Sequence, residues 1–444
     1  METVDQFQEL KPALGADEAL AEANRCLMCF DAPCTRACPT HIDVPAFIKK
    51  IATGNPRGSA RTILSANVLG ASCARVCPTE VLCEGACVLN DLHHKPIAIG
   101  RLQRHATDWA MARGEGPKRL LSPAQRRDDL PRVAILGAGP AGLACGAELS
   151  RLGVGAVIFD AAERPGGLNT RGVAEYKITP AFALREVEWV RELGVEIRSG
   201  VTVGRDVPLA DLERDFAAIF VGVGLGKIQP LGVPGESLDG ALDALDFIAE
   251  LKVSRARAAD RVRGRRVVVI GGGNTAIDAV TQSARLGASE VWLVYRRAQA
   301  AMPAYRHEQA LALGAGCRFV FEAAPVRLDG DKAVQSITLV RMRSEGEGRT
   351  AALAPIPGSE FTIACDVVLK ANGQTANQSL LAALPGVELR KSRPVVNDDM
   401  QTTNPRYFAG GDCVSGGKEV VNAVADGRTA ARAIARKLGS KEAA

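Results

Sequence analysis

Short runs of Val, Ile and Leu alternate with Ala-rich helical stretches from Arg132 onward. This alternation predicts α/β architecture with parallel sheets. The preceding residues, 1–112, instead show helical stretches such as 17–23 and 45–51, which Gly and Pro interrupt. Residues 113–131 are charged, are punctuated by Gly and Pro and lack apolar periodicity, so we expect a linker there.

One pattern occurs twice in the α/β part, at residues 133–160 and 267–297. Each copy reads as a buried strand, a glycine turn, a helix and a second strand. This order is typical of a dinucleotide-binding unit, in which the turn and the helix N-terminus hold phosphates. Two such units in one chain indicate two dinucleotides.

The first copy has glycines at all three positions of the G-x-G-x-x-G pattern and ends its second strand in an acidic residue. The glycines permit a tight turn, close approach of a pyrophosphate and close helix packing, and the acid is placed to bind a ribose hydroxyl. A turn that only packs is the alternative. The residues predicted to contact this dinucleotide are Gly137, Gly139, Pro140, Ala141, Gly142 and Asp160.

The second copy has Ala276 in place of the last glycine and ends its second strand at Arg296-Arg297, without an acid. Guanidinium groups bind a 2′-phosphate well, which favours NADPH over NADH. Two solvated surface arginines are the alternative, so the nicotinamide preference stays open at this point.

Composition narrows the class of protein. The 444 residues are 47% hydrophobic and carry a formal net charge of only +5, without a clustered basic face, so we expect no nucleic-acid partner. No apolar run approaches the ~20 residues that a membrane-spanning helix needs, and no secretory pattern opens the chain. We therefore expect a cytoplasmic protein without a membrane partner.

Eight of the 12 cysteines lie between Cys26 and Cys87, in two runs of four. Two sets of four thiolates suit two [4Fe–4S] clusters, and the last cysteine of one run can ligate the other cluster. A disulfide framework would need an oxidising compartment, and all-cysteine zinc sites use similar spacings; these are the two alternatives.

Further turns make FAD the expected ligand of the first copy. Gly166-Gly167-Leu168 follows its second strand, and the strand at 407–409 leads into Gly410-Gly411-Asp412. The latter resembles the ribityl-binding motif of flavoproteins with two dinucleotide-binding domains, which implies that Asp412 holds the ribityl chain. A helix beginning near Val420 would point its N-terminus toward the flavin ring. Redox-active cysteine pairs of such enzymes are absent, because the other four cysteines are isolated.

Over nearly its whole length the sequence resembles the flavin and iron–sulfur subunit of bacterial dihydropyrimidine dehydrogenase. The resemblance rests on residues 26–48, 66–87 and 96–108. The glutamate synthase small subunit and the flavoprotein of bifurcating transhydrogenase share this architecture. Gln103 favours the pyrimidine enzyme, in which a glutamine is an unusual cluster ligand where the relatives tend to carry an acidic residue.

The resemblance also implies specific ligand sets, with Cys73 left as a structural thiol. One cluster would take Cys26, Cys29, Cys34 and Cys87, and the other Cys38, Cys77, Cys83 and Gln103. The nicotinamide nucleotide would contact Gly272, Gly273, Asn274, Thr275, Arg296, Arg297, Ala371, Asn372 and Gly373, while Gly167, Leu168, Lys177, Gly411 and Asp412 would lie at the FAD. Where the mammalian enzyme has a further arginine for the 2′-phosphate, residues 298–301 of this sequence contain none.

The expected fold is α/β. An α-helical, ferredoxin-like [4Fe–4S] domain (1–112) and a linker (113–131) precede two Rossmann-type domains, a discontinuous one for FAD (132–235 and 374–444) and one for NAD(P) (236–373) inserted in it. We find no residues for chemistry on a substrate. The resemblance implies an NAD(P)H-oxidising subunit whose partner, an iron–sulfur subunit with FMN, reduces uracil or thymine. The alternatives are a glutamate synthase-type electron donor and a cofactor-free scaffold.

Overall fold

The computed structural model describes residues 7–346 and 348–440. Residues 1–6, 347 and 441–444, which fall within the predicted domains 1–112, 236–373 and 374–444, lie outside this description. Among the helices in the described ranges, none is both long and apolar enough to cross a membrane.

The cysteine-rich region is helical, as predicted. Asp43 caps one helix by accepting from the Ala46 N–H at 3.0 Å, and Asn55 caps the next through the Gly58 N–H at 2.8 Å. The helices are α1 (Ala16–Asn24), α2 (Pro33–Ala37), α3 (Val44–Ala52), α4 (Pro56–Ala66), α5 (Gly70–Val76), α6 (Ile99–Ala112) and α7 (Pro117–Leu121).

Helix α7 lies inside the segment that the sequence predicts as a linker, so part of that segment is regular structure. Leu120 is buried in a cluster with Leu64 and Trp189. One apolar contact of this kind is enough to fix a short helix, and the charged residues around it conceal the signal in the sequence.

The chain then enters its first dinucleotide unit. Its elements are β1 (Val133–Leu136), α8 (Pro140–Arg151), β2 (Ala156–Asp160), α9 (Leu168–Arg171), α10 (Pro180–Glu192), β3 (Glu196–Ser199), α11 (Leu209–Asp215) and β4 (Ala218–Val221). All four strands pair in parallel, and residues of β1, β2 and β4 are buried on both faces, which explains their continuous apolar runs.

The second dinucleotide-binding unit follows within the chain. Its elements are β5 (Ala241–Asp243), α12 (Ala244–Val253), α13 (Arg255–Val262), β6 (Arg266–Ile270), α14 (Asn274–Arg285), β7 (Glu290–Tyr295), α15 (Arg306–Gly314), β8 (Arg318–Phe321), β9 (Ala323–Gly330), β10 (Val334–Glu345), β11 (Ala352–Pro355), β12 (Phe361–Ala364) and β13 (Val367–Lys370). A parallel sheet has the order β5-β13-β6-β7-β8, and β10 pairs antiparallel with β9, β11 and β12.

The last segment returns to the first sheet. Its elements are α16 (Gln378–Leu381), β14 (Leu389–Arg390), β15 (Arg393–Pro394), β16 (Tyr407–Ala409), α17 (Asp412–Ser415) and α18 (Val420–Lys437). Strand β16 completes the order β16-β4-β1-β2-β3. Helix α18 passes close to α8, because a Cβ on Gly427 would lie 2.1 Å from the Ala141 carbonyl oxygen.

The described residues divide into two compact units. One comprises residues 7–8, 171–179 and 226–375, which include the second sheet. The other comprises 9–170, 180–225 and 376–440, so the cysteine-rich helices and the first sheet belong to one body. The two strand–turn–helix–strand repeats, β1–α8–β2 and β6–α14–β7, confirm the expected α/β fold.

Candidate functional site

The first glycine turn joins β1 to the N-terminus of α8. Gly137 has a φ of +96°, and a Cβ there would lie 2.6 Å from the Gly222 carbonyl oxygen. A Cβ on Gly167 would lie 2.8 Å from the Cα of Gly139. Two stretches of backbone without side chains therefore meet at the N-terminus of α8, which is the surface that a pyrophosphate requires.

Asp160, at the end of β2, also organises this turn. Its Oδ2 accepts from the Ala138 N–H at 2.5 Å, and its Oδ1 accepts from the Ala162 N–H at 2.7 Å. Each carboxylate oxygen has a further lone pair with which to accept from a ribose hydroxyl. Asp160 is thus buried beside the glycine turn, and its contact with a ribose stays a prediction.

The C-terminal Gly-Gly-Asp motif lies against the same turn. A Cβ on Gly411, whose φ is +75°, would lie 3.0 Å from the Cβ of Ala141. The Gly411 N–H donates to Oδ2 of Asp426 at 2.8 Å. Asp412 accepts from the Lys418 N–H at 3.1 Å, and burial raises the pKa of its carboxyl group. The segments 137–142 and 411–412 therefore lie side by side, and their backbone, which carries few side chains, fits FAD.

The second glycine turn borders a cavity of about 590 Å³ in the unit that holds β6 and β7. Eight of the nine residues predicted to bind the nicotinamide nucleotide line this cavity: Gly272, Gly273, Thr275, Arg296, Arg297, Ala371, Asn372 and Gly373. The ninth, Asn274, accepts from the Tyr305 N–H at 3.4 Å.

Sequence reasoning missed Arg349 and Gln229, which line the same cavity. Arg349 belongs to the loop between β10 and β11, more than 50 residues from the second strand of the repeat. Neither residue lies in a motif, so only the folded chain places them at the nucleotide site.

Four cysteines surround one apolar cavity and are called here the first cysteine group: Cys26, Cys29, Cys34 and Cys87. Burial, together with the neighbouring thiols of Cys26 and Cys87, raises the pKa of Cys34 to about 11. Thiolates held this close repel one another, so the arrangement suits binding to a cationic centre that neutralises them.

A second cysteine group consists of Cys38, Cys73, Cys77 and Cys83. The hydrogen bond with Cys73, together with burial and the charges of Cys83 and Cys38, raises the pKa of Cys77. The spacing predicts two sets of four cysteines, and the structure has two such groups. Each group contains three cysteines of one run and the last cysteine of the other, because Cys87 lies with the first run and Cys38 with the second. In the described ranges, no three His, Cys, Asp or Glu side chains form a site for one metal ion.

Gln103 lies on α6 and reaches helix α5, which carries Cys73. The Nε2 of Gln103 donates to the Gly70 carbonyl oxygen at 2.7 Å, which fixes the amide and leaves its Oε1 without a partner among the described residues. The Nδ2 of Asn67 donates to the Sγ of Cys73 at 3.2 Å. Which of the two completes the second ligand set stays a prediction.

Helix α5 is held by helix α10 of the dinucleotide part. The Glu186 carboxylate accepts from the backbone N–H groups of Ala71 and Ser72 at 3.0 and 3.1 Å. Burial raises the pKa of Glu186 to about 7. The guanidinium of Arg75 lies 3.6 Å from the Phe182 ring centroid. The residues in these contacts are over 100 positions apart in sequence. The contacts fix helix α5, which carries Cys73, to the flavin part, and no sequence motif predicts them.

Lys177 and Leu168, both expected near the FAD, have different settings. The Lys177 Nζ lies 2.7 Å from Asp278 Oδ1 and 2.6 Å from Glu308 Oε1, all three buried in one unit. Those carboxylates outweigh burial and raise the pKa of Lys177. Leu168 begins α9 directly after Gly167. Their proximity to FAD stays a prediction.

The chain was compared with known proteins. Residues 131–427 match the family described as pyridine nucleotide-disulphide oxidoreductase, and residues 3–115 match dihydropyrimidine dehydrogenase domain II, 4Fe-4S cluster. The glutamate synthase [NADPH] small chain of Halomonas elongata is 37% identical over 97% of this chain and 93% of its own length.

Two further similarities extend this result. The NAD-dependent dihydropyrimidine dehydrogenase subunit PreT of Escherichia coli is 34% identical over 96% of both chains. Mycobacterium tuberculosis FprA in complex with NADPH has a TM-score of 0.58, is 19% identical and covers 70% of this chain and 85% of its own; this similarity concerns the fold alone.

Proposed function

The chain belongs to the pyridine nucleotide-disulphide oxidoreductase family, joined to a 4Fe-4S domain, and we propose that it is the electron-input subunit of a dihydropyrimidine dehydrogenase. In this role it oxidises NAD(P)H and supplies electrons to a partner subunit with FMN and iron–sulfur clusters, which reduces uracil or thymine. Relatives that are subunits of such complexes support a partner.

Each of the bound cofactors would have its own set of residues. FAD would take the glycine turns with Asp160 and Asp412, and the nicotinamide nucleotide would take the cavity at β7. One [4Fe–4S] cluster would take the first cysteine group, and the other would take Cys38, Cys77 and Cys83 of the second group, with Gln103 rather than Cys73 as the proposed last ligand. When bound, these groups would accept a hydride from NAD(P)H and pass its electrons on singly.

The chain's own residues prepare these sites. The helix N-termini of α8 and α18 supply positive potential where phosphates and a reduced flavin carry negative charge. Val421 packs against Cys73 and Cys77, so these two cysteines of the second group are buried away from water. Exclusion of water and fixed hydrogen bonds to sulfur, such as that from Asn67, set reduction potentials.

Gln103 is the observation that carries the choice of a pyrimidine as final acceptor. It lies buried on α6 with its amide nitrogen fixed, and the resemblance associates a glutamine there with the pyrimidine enzymes. A glutamate synthase-type donor is the second candidate, since identity to those small chains is 33–37%, a range that includes the 34% for PreT.

The test is to purify the chain anaerobically with its native partner and to follow NADH and NADPH oxidation. Uracil, thymine, or glutamine with 2-oxoglutarate would be added in separate assays. We expect oxidation that depends on the pyrimidine. Oxidation that depends only on glutamine with 2-oxoglutarate would overturn the pyrimidine assignment in favour of the second candidate, and a colourless protein without iron would overturn both.

A further inference from the structure

The charged side chains that line the cavity at the end of β7 are all positive among the described residues. Arg296, Arg297 and Arg349 line it, and none of the lining residues among those described is Asp or Glu. In dinucleotide folds this place faces the adenosine ribose, where an acid binds the two hydroxyls of NADH and a cation accommodates the 2′-phosphate of NADPH. The cavity therefore has cations for a phosphate and no acid for a free ribose.

Arg349 reaches this cavity from a different element. It lies in the loop that joins β10 to β11, and the Nη1 of Arg297 donates to the Ala351 carbonyl oxygen at 2.7 Å. That bond ties the loop to the end of β7. The segment after β7, Ala298–Ala301, offers no cation, so the loop supplies the third one.

Two of the three guanidinium groups are available to a ligand. Neither Arg296 nor Arg349 forms a hydrogen bond or ion pair with any residue that the structure describes. Arg349 and Arg296 are both exposed, so their charges are screened by water until a ligand is bound. Guanidinium groups bind phosphate through paired, charge-assisted hydrogen bonds. Two available guanidinium groups beside the ribose position therefore favour a ribose that carries a phosphate.

We propose that Arg349 and Arg296 together bind the 2′-phosphate of NADPH, and that Arg349 is a specificity-determining residue that makes NADPH the preferred donor. The inference rests on the proposed function only in taking a nicotinamide nucleotide as the donor. It is independent of the identity of the partner and of the final acceptor.

The test is calorimetric binding of 2′,5′-ADP and of 5′-AMP to the anaerobically purified holoprotein, without partner or turnover. The wild type should bind 2′,5′-ADP more tightly than 5′-AMP. Because a hydrogen bond to a charged group contributes appreciably, Arg349→Ala should weaken 2′,5′-ADP binding about tenfold and leave 5′-AMP unchanged. Arg349→Lys should retain part of the difference.

Arg343→Ala is the matched control, since Arg343 is a neighbouring exposed arginine of β10 that does not line the cavity and lies 3.7 Å from Glu345. Its affinities should equal those of the wild type. Equal binding of the two nucleotides by the wild type would overturn NADPH preference. A loss in Arg296→Ala but none in Arg349→Ala would overturn the role of Arg349. If nucleotide discrimination holds but no acceptor is reduced, only the proposed function fails.

Discussion

The two cysteine groups arise from similar spacings but differ in their surroundings. The first group borders a cavity that Leu27 also lines, and Leu27 and the nearby Phe30 are 56% and 107% exposed. In the second group, Cys73 and Cys77 are only 3% and 8% exposed and pack with Val421 at the start of α18. Spacing alone specifies the type of ligand, whereas the fold decides which group faces the flavin part and which faces outward.

This difference assigns the groups separate tasks. A buried group beside the flavin part, held by the contact of Glu186 with α5, is suited to receive electrons. The first group has three partly exposed cysteines and lies beside the exposed side chains of Leu27 and Phe30. It is suited to a partner protein, since apolar patches on a surface mark interaction sites. We expect removal of the first group to spare the flavin site and removal of the second to disturb the fold.

Replacing the buried Cys77 should have the largest effect. Cys77→Ser should remove about four of about eight irons. Because a hydroxyl is then buried without the cluster, the free energy of unfolding should also fall by about 1–3 kcal/mol. Iron analysis and thermal unfolding measure both. Cys145→Ser, at a buried cysteine outside both groups, is the control and should keep all its iron; equal iron loss in the two variants would contradict the assignment.

Cys26→Ser should produce the same loss of iron with a smaller loss of stability. Cys26 is partly exposed, so its hydroxyl can be hydrated in the variant and the packing of α18 is untouched. The difference in melting temperature between this variant and Cys77→Ser measures the contrast between the groups. Equal destabilisation would mean that the two groups are equivalent in the fold.

Gln103→Leu sharpens the contrast within the second group. If the amide is a ligand, the variant should lose about four irons, whereas Cys73→Ala should retain about eight. Leu keeps the volume on α6 while removing the oxygen donor, so folding should be preserved. The reverse pattern of iron content would make Cys73 the ligand and leave Gln103 as a structural partner of Gly70.

The smallest effect is kinetic. An iron chelator added to the wild type should extract iron in two phases, because three cysteines of the first group are partly exposed, whereas Cys73 and Cys77 of the second are buried against Val421. The slow phase should persist alone in Cys26→Ser. A single phase in the wild type would show that both groups are equally accessible.

The features that sequence could predict are local ones. Glycines that need positive φ, such as Gly137 and Gly411, and thiols at short spacing leave their mark in a few neighbouring residues. The features it missed depend on distant partners. Glu186 reads as one more polar helix residue until α5 is packed beside it, and Arg349 reads as a charged loop residue until β10 and β11 bring it to β7.

The same limit explains helix α7 and the Cys73–Gln103 pair. Charged neighbours hide the packing of Leu120, and spacing favours thiolate at the place where resemblance favours an amide. Cys73 lies on α5, and the Gln103 amide is hydrogen-bonded to Gly70 at the start of the same helix. Iron analysis of the two variants distinguishes between them.

The most direct test of the account is anaerobic NADPH oxidation by the wild type and by Cys26→Ser with two acceptors. Ferricyanide, a small acceptor, can take electrons at the flavin site, whereas cytochrome c, a protein acceptor, must dock on the outside. Cys26→Ser should keep ferricyanide reduction near the wild-type rate and lose cytochrome c reduction. Unchanged reduction of both acceptors would contradict the claim that electrons leave through the first cysteine group.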